Sequence, residues 1–155
     1  MKNYIGTKLI KAEPMNLGAY NKFKGYTIVE NKNPLAEGYK VQYSDDYISW
    51  SPKEEFEKAY RRLDNLTFGL AIDAIKKGFK VSRKGWNGKG MFIVYQKGYP
   101  EGIKCNKQTA AAWGLNEGDL FKCEPYLQIR MVNGSHSMWV PSINDVLSED
   151  WGIVE

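Results

Sequence analysis

Two stretches of the chain carry apolar residues at helical spacing, and several shorter ones alternate apolar with polar side chains. Phe68, Ala71, Ile72 and Ile75 fall at i, i+3, i+4 and i+7 behind Thr67, and the run stops at Gly78 after two lysines. A hydroxyl that can accept an orphan N–H, and a glycine with cations at the negative end of the helix dipole, predict a helix between Thr67 and Gly78. Phe56, Ala59, Tyr60 and Leu63 repeat the spacing after Ser51-Pro52-Lys53-Glu54. That tetrapeptide reads as a Ser cap, a Pro at the first helical position and a Glu closing a capping box. Tyr39 to Tyr43 and Tyr47 to Trp50 flank the turn Ser44-Asp45-Asp46 as two strands, and short strands are also expected in Tyr4 to Ala12 and Gly25 to Val29.

The second half holds the clearer strand signals. Phe79 to Arg83 alternates, Met91 to Tyr95 is nearly all apolar and suits a central strand, and a glycine-dense turn, Gly85 to Gly90, joins them. In Tyr126 to Val132, Leu127, Ile129 and Met131 share one face and Tyr126, Gln128 and Arg130 the other. Asn133-Gly134 is a hairpin turn, returned by Ser135 to Val140. Ser142 can cap a helical turn with Asp145 at its third position, and Asp150 to Val154 reads as a last strand. Residues 98–124 look irregular around one short helix, Lys107 to Trp113. A polar break at Asp64-Asn65-Leu66 separates residues 1–64 from 65–155. The expected fold class is α+β: two small units, each a mainly antiparallel sheet with a packed helix.

Composition narrows the function. With 155 residues, 43% hydrophobic and 26% charged, the chain is globular rather than disordered, and too short for a large multidomain enzyme. The net charge of +4 is too slight to predict a DNA or RNA partner, though it suits a small anionic ligand. No apolar run reaches membrane-spanning length and the N-terminus lacks a secretory apolar stretch, so a cytoplasmic protein without a membrane partner is expected. Cys105 and Cys123 read as free thiols, and a single histidine, His136, with two distant cysteines does not make a metal site. No cofactor is expected. Ten Tyr and five Trp in so short a chain are the feature to explain, since flat side chains fill cores and also stack on flat ligands.

Candidate chemistry is correspondingly thin. Gly85, Gly88 and Gly90 match neither the dinucleotide fingerprint nor the Walker pattern, and a strand follows where both need a helix. A plain tight turn and a turn that touches ligand both remain open; Trp86, Asn87 and Lys89 place a stacking plane, an amide and a cation within it. No nucleophile elbow is present. Asp145, Glu149 and Asp150 cluster, but Asp145 reads more simply as a capping-box acid and Glu149-Asp150 as a solvated turn.

Four blocks add more. Leu66-Thr67-Phe68-Gly69-Leu70-Ala71-Ile72, Arg83 to Phe92, Pro125-Tyr126-Leu127, and Met138-Trp139-Val140-Pro141-Ser142 with Asn144 to Trp151 resemble, in order, the phage-encoded Thoeris anti-defence family of the second type. The resemblance implies a sponge, not an enzyme. Such proteins sequester cyclic ADP-ribose-type signals of bacterial Thoeris immunity, notably glycocyclic ADP-ribose, without degrading them; some relatives hold cyclic oligonucleotides of the CBASS pathway. It also implies a homotetramer with ligand pockets between subunits, acting in the cytoplasm of the infected bacterial cell. Asn144 stands where the family's block has Gln, the 98–124 segment is longer than in the shortest members, and residues 1–64 lie outside the minimal domain and resemble small extensions of other phage proteins.

Resemblance and residue chemistry together nominate a ligand-binding set. Trp86, Phe92, Tyr126 and Trp139 are candidates for stacking; Asn87, Gln128, Ser142, Asn144 and Asp145 for reading sugar and base edges; Arg83, Lys89 and Arg130 for facing phosphates. No catalytic residue is nominated. The alternatives are a structural or interaction protein of the phage, in which the aromatics make only protein contacts, and a nucleotide-cleaving hydrolase.

Overall fold

In the computed structural model, which describes residues 1–2, 5–27 and 32–155, the chain divides into two units, Met1–Arg61 and Arg62–Glu155. Both mix antiparallel sheet with helix, so the fold class is α+β. The first unit has a three-stranded sheet in the order β1-β2-β3, formed by Lys11–Pro14, Gly38–Gln42 and Ile48–Pro52. Pro14 is tolerated because β1 is an edge strand.

Helix α1, Leu17–Lys24, is capped by Asn16, whose side chain accepts the Ala19 N–H, and closed by Gly25 at φ 71°. The expected strand from Gly25 is thus corrected at its start, because Gly25 ends a helix; Ile28 and Val29 lie outside the described residues, as does Tyr4. The Ser51 cap is also corrected. Ser51 pairs with Tyr39 and Pro52 with Gly38, so the ladder runs through the proposed cap, and α2, Lys53–Ala59, begins after Pro52 with no side-chain capping bond. Phe56 of α2 stacks on Tyr39 at 4.1 Å and on Tyr60 at 5.0 Å, which packs the helix against the sheet. Gly38 is required by space: a Cβ there would lie 2.4 Å from both the Ser51 carbonyl oxygen and the Trp50 ring.

The second unit is built on a five-stranded antiparallel sheet. Its strands, β4 (Lys80–Arg83), β5 (Phe92–Gln96), β8 (Tyr126–Arg130), β9 (His136–Trp139) and β10 (Trp151–Val154), are arranged β10-β4-β5-β8-β9, so only β10 is out of chain order. Helix α3, Phe68–Lys76, starts at Thr67, whose hydroxyl accepts the Leu70 N–H. Its apolar stripe buries Ala71, Ala74 and Ile75 against Val81, Ile93, Ile129 and Trp151 of the sheet. Residues 98–124, expected to be irregular, contain the hairpin β6 (Tyr99–Lys104) and β7 (Leu120–Cys123) around α4, Lys107–Trp113. Its strands are hidden in sequence by Gly98, Pro100 and Gly102, and the pairing register shifts between Tyr99 and Ile103. Helix α5 is Ile143–Leu147.

Period-two alternation gives the five-stranded sheet two unlike faces. The ladder aligns Ile153, Val81, Ile93 and Ile129 on the face that α3 covers. The other face carries Lys80, Phe92, Val94, Gln96, Tyr126, Gln128, Arg130 and Met138, and none of these is buried. The β10 side is bordered by the chain at Leu63 to Leu66, which bonds Ile153 and Trp151 through the backbone.

Because Ile93 is fully buried at the centre of this core, Ile93→Ala should cost about 2–5 kcal/mol, seen as a lower urea midpoint. Gly38→Ala should also lower stability, by disrupting the β2-β3 hairpin rather than by leaving a cavity; nuclear magnetic resonance shifts confined to residues 11–59 in the folded protein would check that localisation.

Candidate functional site

The end of β4 and the start of β10 are opposed, with Arg83 paired to Trp151, and this register builds the most polar interior cluster of the second unit. Arg83 Nε lies 2.8 Å from Asp150 Oδ1, Nη2 3.4 Å from Asp150 Oδ2, and Nη1 2.8 Å from Asp145 Oδ1. Only 16% of the Arg83 side chain is exposed. One cation is therefore shared by two carboxylates in a partly dry site, where removing the guanidinium would leave two anions uncompensated.

Each acid has further work. Asp145 sits at the third position of α5, accepts the Ser142 N–H and hydroxyl at 3.0 and 2.7 Å, and Ser142 Oγ accepts the Asp145 N–H at 3.2 Å. This is the capping box that the sequence predicts. Asp145 Oδ1 also accepts the Trp86 indole N–H at 3.1 Å, and its backbone carbonyl accepts that of Trp151 at 3.0 Å. Asp150 Oδ2 accepts the Gly85 N–H at 2.8 Å, and its carbonyl accepts the Lys84 N–H at 3.1 Å. The solvated turn expected at Glu149-Asp150 is corrected on this point, because Asp150 anchors the entry to the glycine turn. With these N–H groups engaged, that entry has the bonding of a structural turn rather than of a phosphate cradle.

Burial pushes the Asp145 carboxyl up, but the bonds from Arg83, Ser142 and Trp86 outweigh it and bring the group down to about 2. Asp150 is held below the ordinary carboxylate range, chiefly by Arg83 and secondarily by the Gly85 N–H against the opposing effect of burial. Arg83 is raised by the bond to Asp150, with burial opposing and Asp145 assisting. All three stay charged at neutral pH.

Around this cluster the tryptophans interlock. Trp86, Trp139 and Trp151 meet edge to face at centroid distances of 5.4 to 6.0 Å, and Phe68 of α3 tilts against Trp139 and Trp151. Edge-to-face contacts satisfy ring quadrupoles and lock orientation.

The nominated residues thus fall into separate groups. Arg83, Trp86, Ser142 and Asp145 gather on the α3 side with their named polar groups bonded to one another, and Trp139 joins them through its ring contact with Trp86. Phe92, Tyr126, Gln128 and Arg130 lie on the uncovered face, where Arg130 Cζ is 5.9 Å from the Phe92 ring centroid, its Nη1 donates to the Gly90 carbonyl at 2.9 Å, and Gln96 donates to Gln128 at 3.1 Å. Asn87 and Lys89 are exposed in the glycine turn, and Asn144 is exposed on α5. The nominated set leaves out Asp150, which the fold brings to Arg83, and Lys80, whose place opposite in face to Val81 is already given by alternation in Phe79 to Arg83.

Fold and site together define a small α+β module with a carboxylate-locked tryptophan cluster on one sheet face and an open mixed face on the other. Residues 66–154 match the Tad2-like family, described as the Thoeris anti-defense 2-like domain, and the chain belongs to that family. It is also similar to Thoeris anti-defense 2 of Bacillus phage SP01, with 36% identity over 93 residues, 57% of this chain and 94% of that protein.

A carboxyl lowered on folding stabilises the native state above the unfolded value, near about 4, and that contribution disappears as pH falls through the folded value of about 2. Stability should therefore hold from pH 7 to about 5 and decline between about 4 and 2, with Asp145 accounting for on the order of 2 kcal/mol. Asp145→Asn should lower stability at pH 7 and shrink this acid limb, as measured by urea midpoints across the range.

Proposed function

We propose that the second unit counters Thoeris immunity by binding and holding a cyclic nucleotide signal without cleaving it, with glycocyclic ADP-ribose as the first candidate and cyclic oligonucleotides of CBASS as the second. Family membership supports the anti-Thoeris role, since the similar phage SP01 protein is itself named for it. The observation that favours binding over hydrolysis is the state of Asp145 and Asp150. A general acid at neutral pH needs a raised carboxyl, and a general base needs one near the working pH; both acids are instead lowered and locked to Arg83.

Flat ring faces, amides and cations near the two sheet faces suit a ligand with an adenine, ribose hydroxyls and a pyrophosphate. In this reading the Arg83 cluster holds Trp86, Trp139, Ser142 and the glycine turn in shape, and the exposed or half-open residues Asn87, Lys89, Phe92, Tyr126, Gln128, Arg130 and Asn144 face the ligand. Effective sequestration calls for a dissociation constant of about nanomolar order, near −12 kcal/mol, which requires extensive burial of the ligand. A second copy of this chain supplies it. Val140, which follows the edge strand β9, and Ile143 and Leu147 of α5 are 85%, 68% and 73% exposed and suit a homo-oligomer contact, with a tetramer as the proposed state.

Incubation with glycocyclic ADP-ribose followed by heat denaturation should return the ligand intact and in stoichiometric amount, as read by mass spectrometry. Recovery of a cleaved product would establish hydrolysis instead. Calorimetric titration should show heat with glycocyclic ADP-ribose or a cyclic oligonucleotide, and Leu147→Glu should reduce the mass seen in sedimentation; absence of heat with every such ligand would leave a protein-interaction role.

A further inference from the structure

The two faces of the five-stranded sheet treat their cations in opposite ways. On the α3 side Arg83 is saturated by two carboxylates. On the uncovered face Lys80 Nζ lies 5.5 Å and Arg130 Cζ 5.9 Å from the centroid of the Phe92 ring, and among the described residues neither cation has a carboxylate partner. Cation–aromatic attraction holds both groups near the ring without neutralising them. Arg130 is further fixed by its Nη1 bond to the Gly90 carbonyl, and its other N–H groups have no partner among the described residues.

Two unneutralised cations converging on an apolar ring are complementary to an anion. Phe92 limits hydration on one side, which strengthens a charge interaction over what water allows. A planar guanidinium and a mobile ammonium also match phosphate oxygens, the first through paired donors and the second as a point charge. Along the same face, the Gln96–Gln128 bond leaves the Gln96 carbonyl and the Gln128 NH2 group unused by the pair, suited to the edge of a base or a ribose. The side chains of this face are half-buried apart from the exposed Met138, and none of those named is buried.

We propose that Lys80 and Arg130, held against Phe92 on the uncovered sheet face, bind the phosphate groups of the ligand, so that the nucleotide lies on the side of the sheet opposite the tryptophan cluster. This rests on the reading of the second unit as a receptor for a nucleotide signal, and it adds Lys80 and the choice of face.

The test is calorimetric titration of the full chain with glycocyclic ADP-ribose, paired with amide spectra recorded during addition of inorganic pyrophosphate at low salt. Lys80→Gln and Arg130→Gln should each weaken glycocyclic ADP-ribose binding at least tenfold and reduce its salt dependence, while Lys107→Gln, which removes an exposed cation on α4, should leave affinity within twofold. Pyrophosphate should shift amides of residues 80, 92 and 130. If Arg130→Gln fails to fold through loss of its Gly90 bond, Lys80→Gln and Arg130→Lys carry the comparison. Wild-type binding that survives Lys80→Gln and the folded Arg130 variant within twofold would overturn the assignment. A change in sedimentation mass without a change in affinity would likewise overturn it, by giving the face to contacts between copies. If the wild type binds no cyclic nucleotide, the receptor reading fails on its own; pyrophosphate shifts at residues 80, 92 and 130 would then still support the anion site, and their absence would overturn that too.

Discussion

Arg83 keeps a full positive charge where little solvent reaches it, and Asp145 and Asp150 meet that charge from two different segments of the chain. The geometry joins the end of β4, the glycine turn, α5 and the start of β10, elements that are separated by as much as two thirds of a hundred residues in sequence. Each acid serves a second purpose: Asp145 caps α5 and orients two indoles, and Asp150 fixes the turn after β4. Loss of the guanidinium would leave two carboxylates unpaired in a partly dry site and would remove the common anchor of these elements.

The tryptophan cluster depends on that anchor. Edge-to-face packing of Trp86, Trp139 and Trp151 is favourable only at particular angles, and the two indole N–H bonds to Asp145 help to set them. A large part of the aromatic surplus in this chain is therefore structural. The sheet then separates two environments by simple alternation: one face is closed by α3 and pairs its arginine with two acids, whereas on the other, among the described residues, Lys80 and Arg130 have no acid partner. A binding protein gains from that separation, because a rigid, satisfied layer can hold an unsatisfied one in place.

Much of the second unit was legible from local pattern. Thr67 and Gly78 bracket α3, Asn133-Gly134 marks the β8-β9 turn, Ser142 and Asp145 form the capping box, and the two faces of Tyr126 to Arg130 are as alternation requires. These signals involve neighbours within a few residues, so sequence carries them whole. The errors came where a longer-range pairing overrode a local preference. Ser51 and Pro52 look like a helix start, yet their pairing with Tyr39 and Gly38 keeps them in β3. Gly25, read as the opening of a strand, closes a helix that Asn16 begins, and Gly102 hides a strand pair by interrupting its alternation.

The same division applies to the candidate site. Residue types alone nominate tryptophans, amides, cations and acids, because the chemistry of stacking, hydrogen bonding and charge belongs to the side chain wherever it lies. Which of them are occupied with one another is a property of the fold. Asp150 is an ordinary turn acid in sequence until the β4-β10 register brings Arg83 to it, and Lys80 is an ordinary lysine until Phe92 and Arg130 meet it on an uncovered face. Sequence by itself determined the period of each element and hence which side chains share a face. Only tertiary structure decided which face is closed and which charges are paired, since those outcomes depend on contacts between segments that no local pattern links.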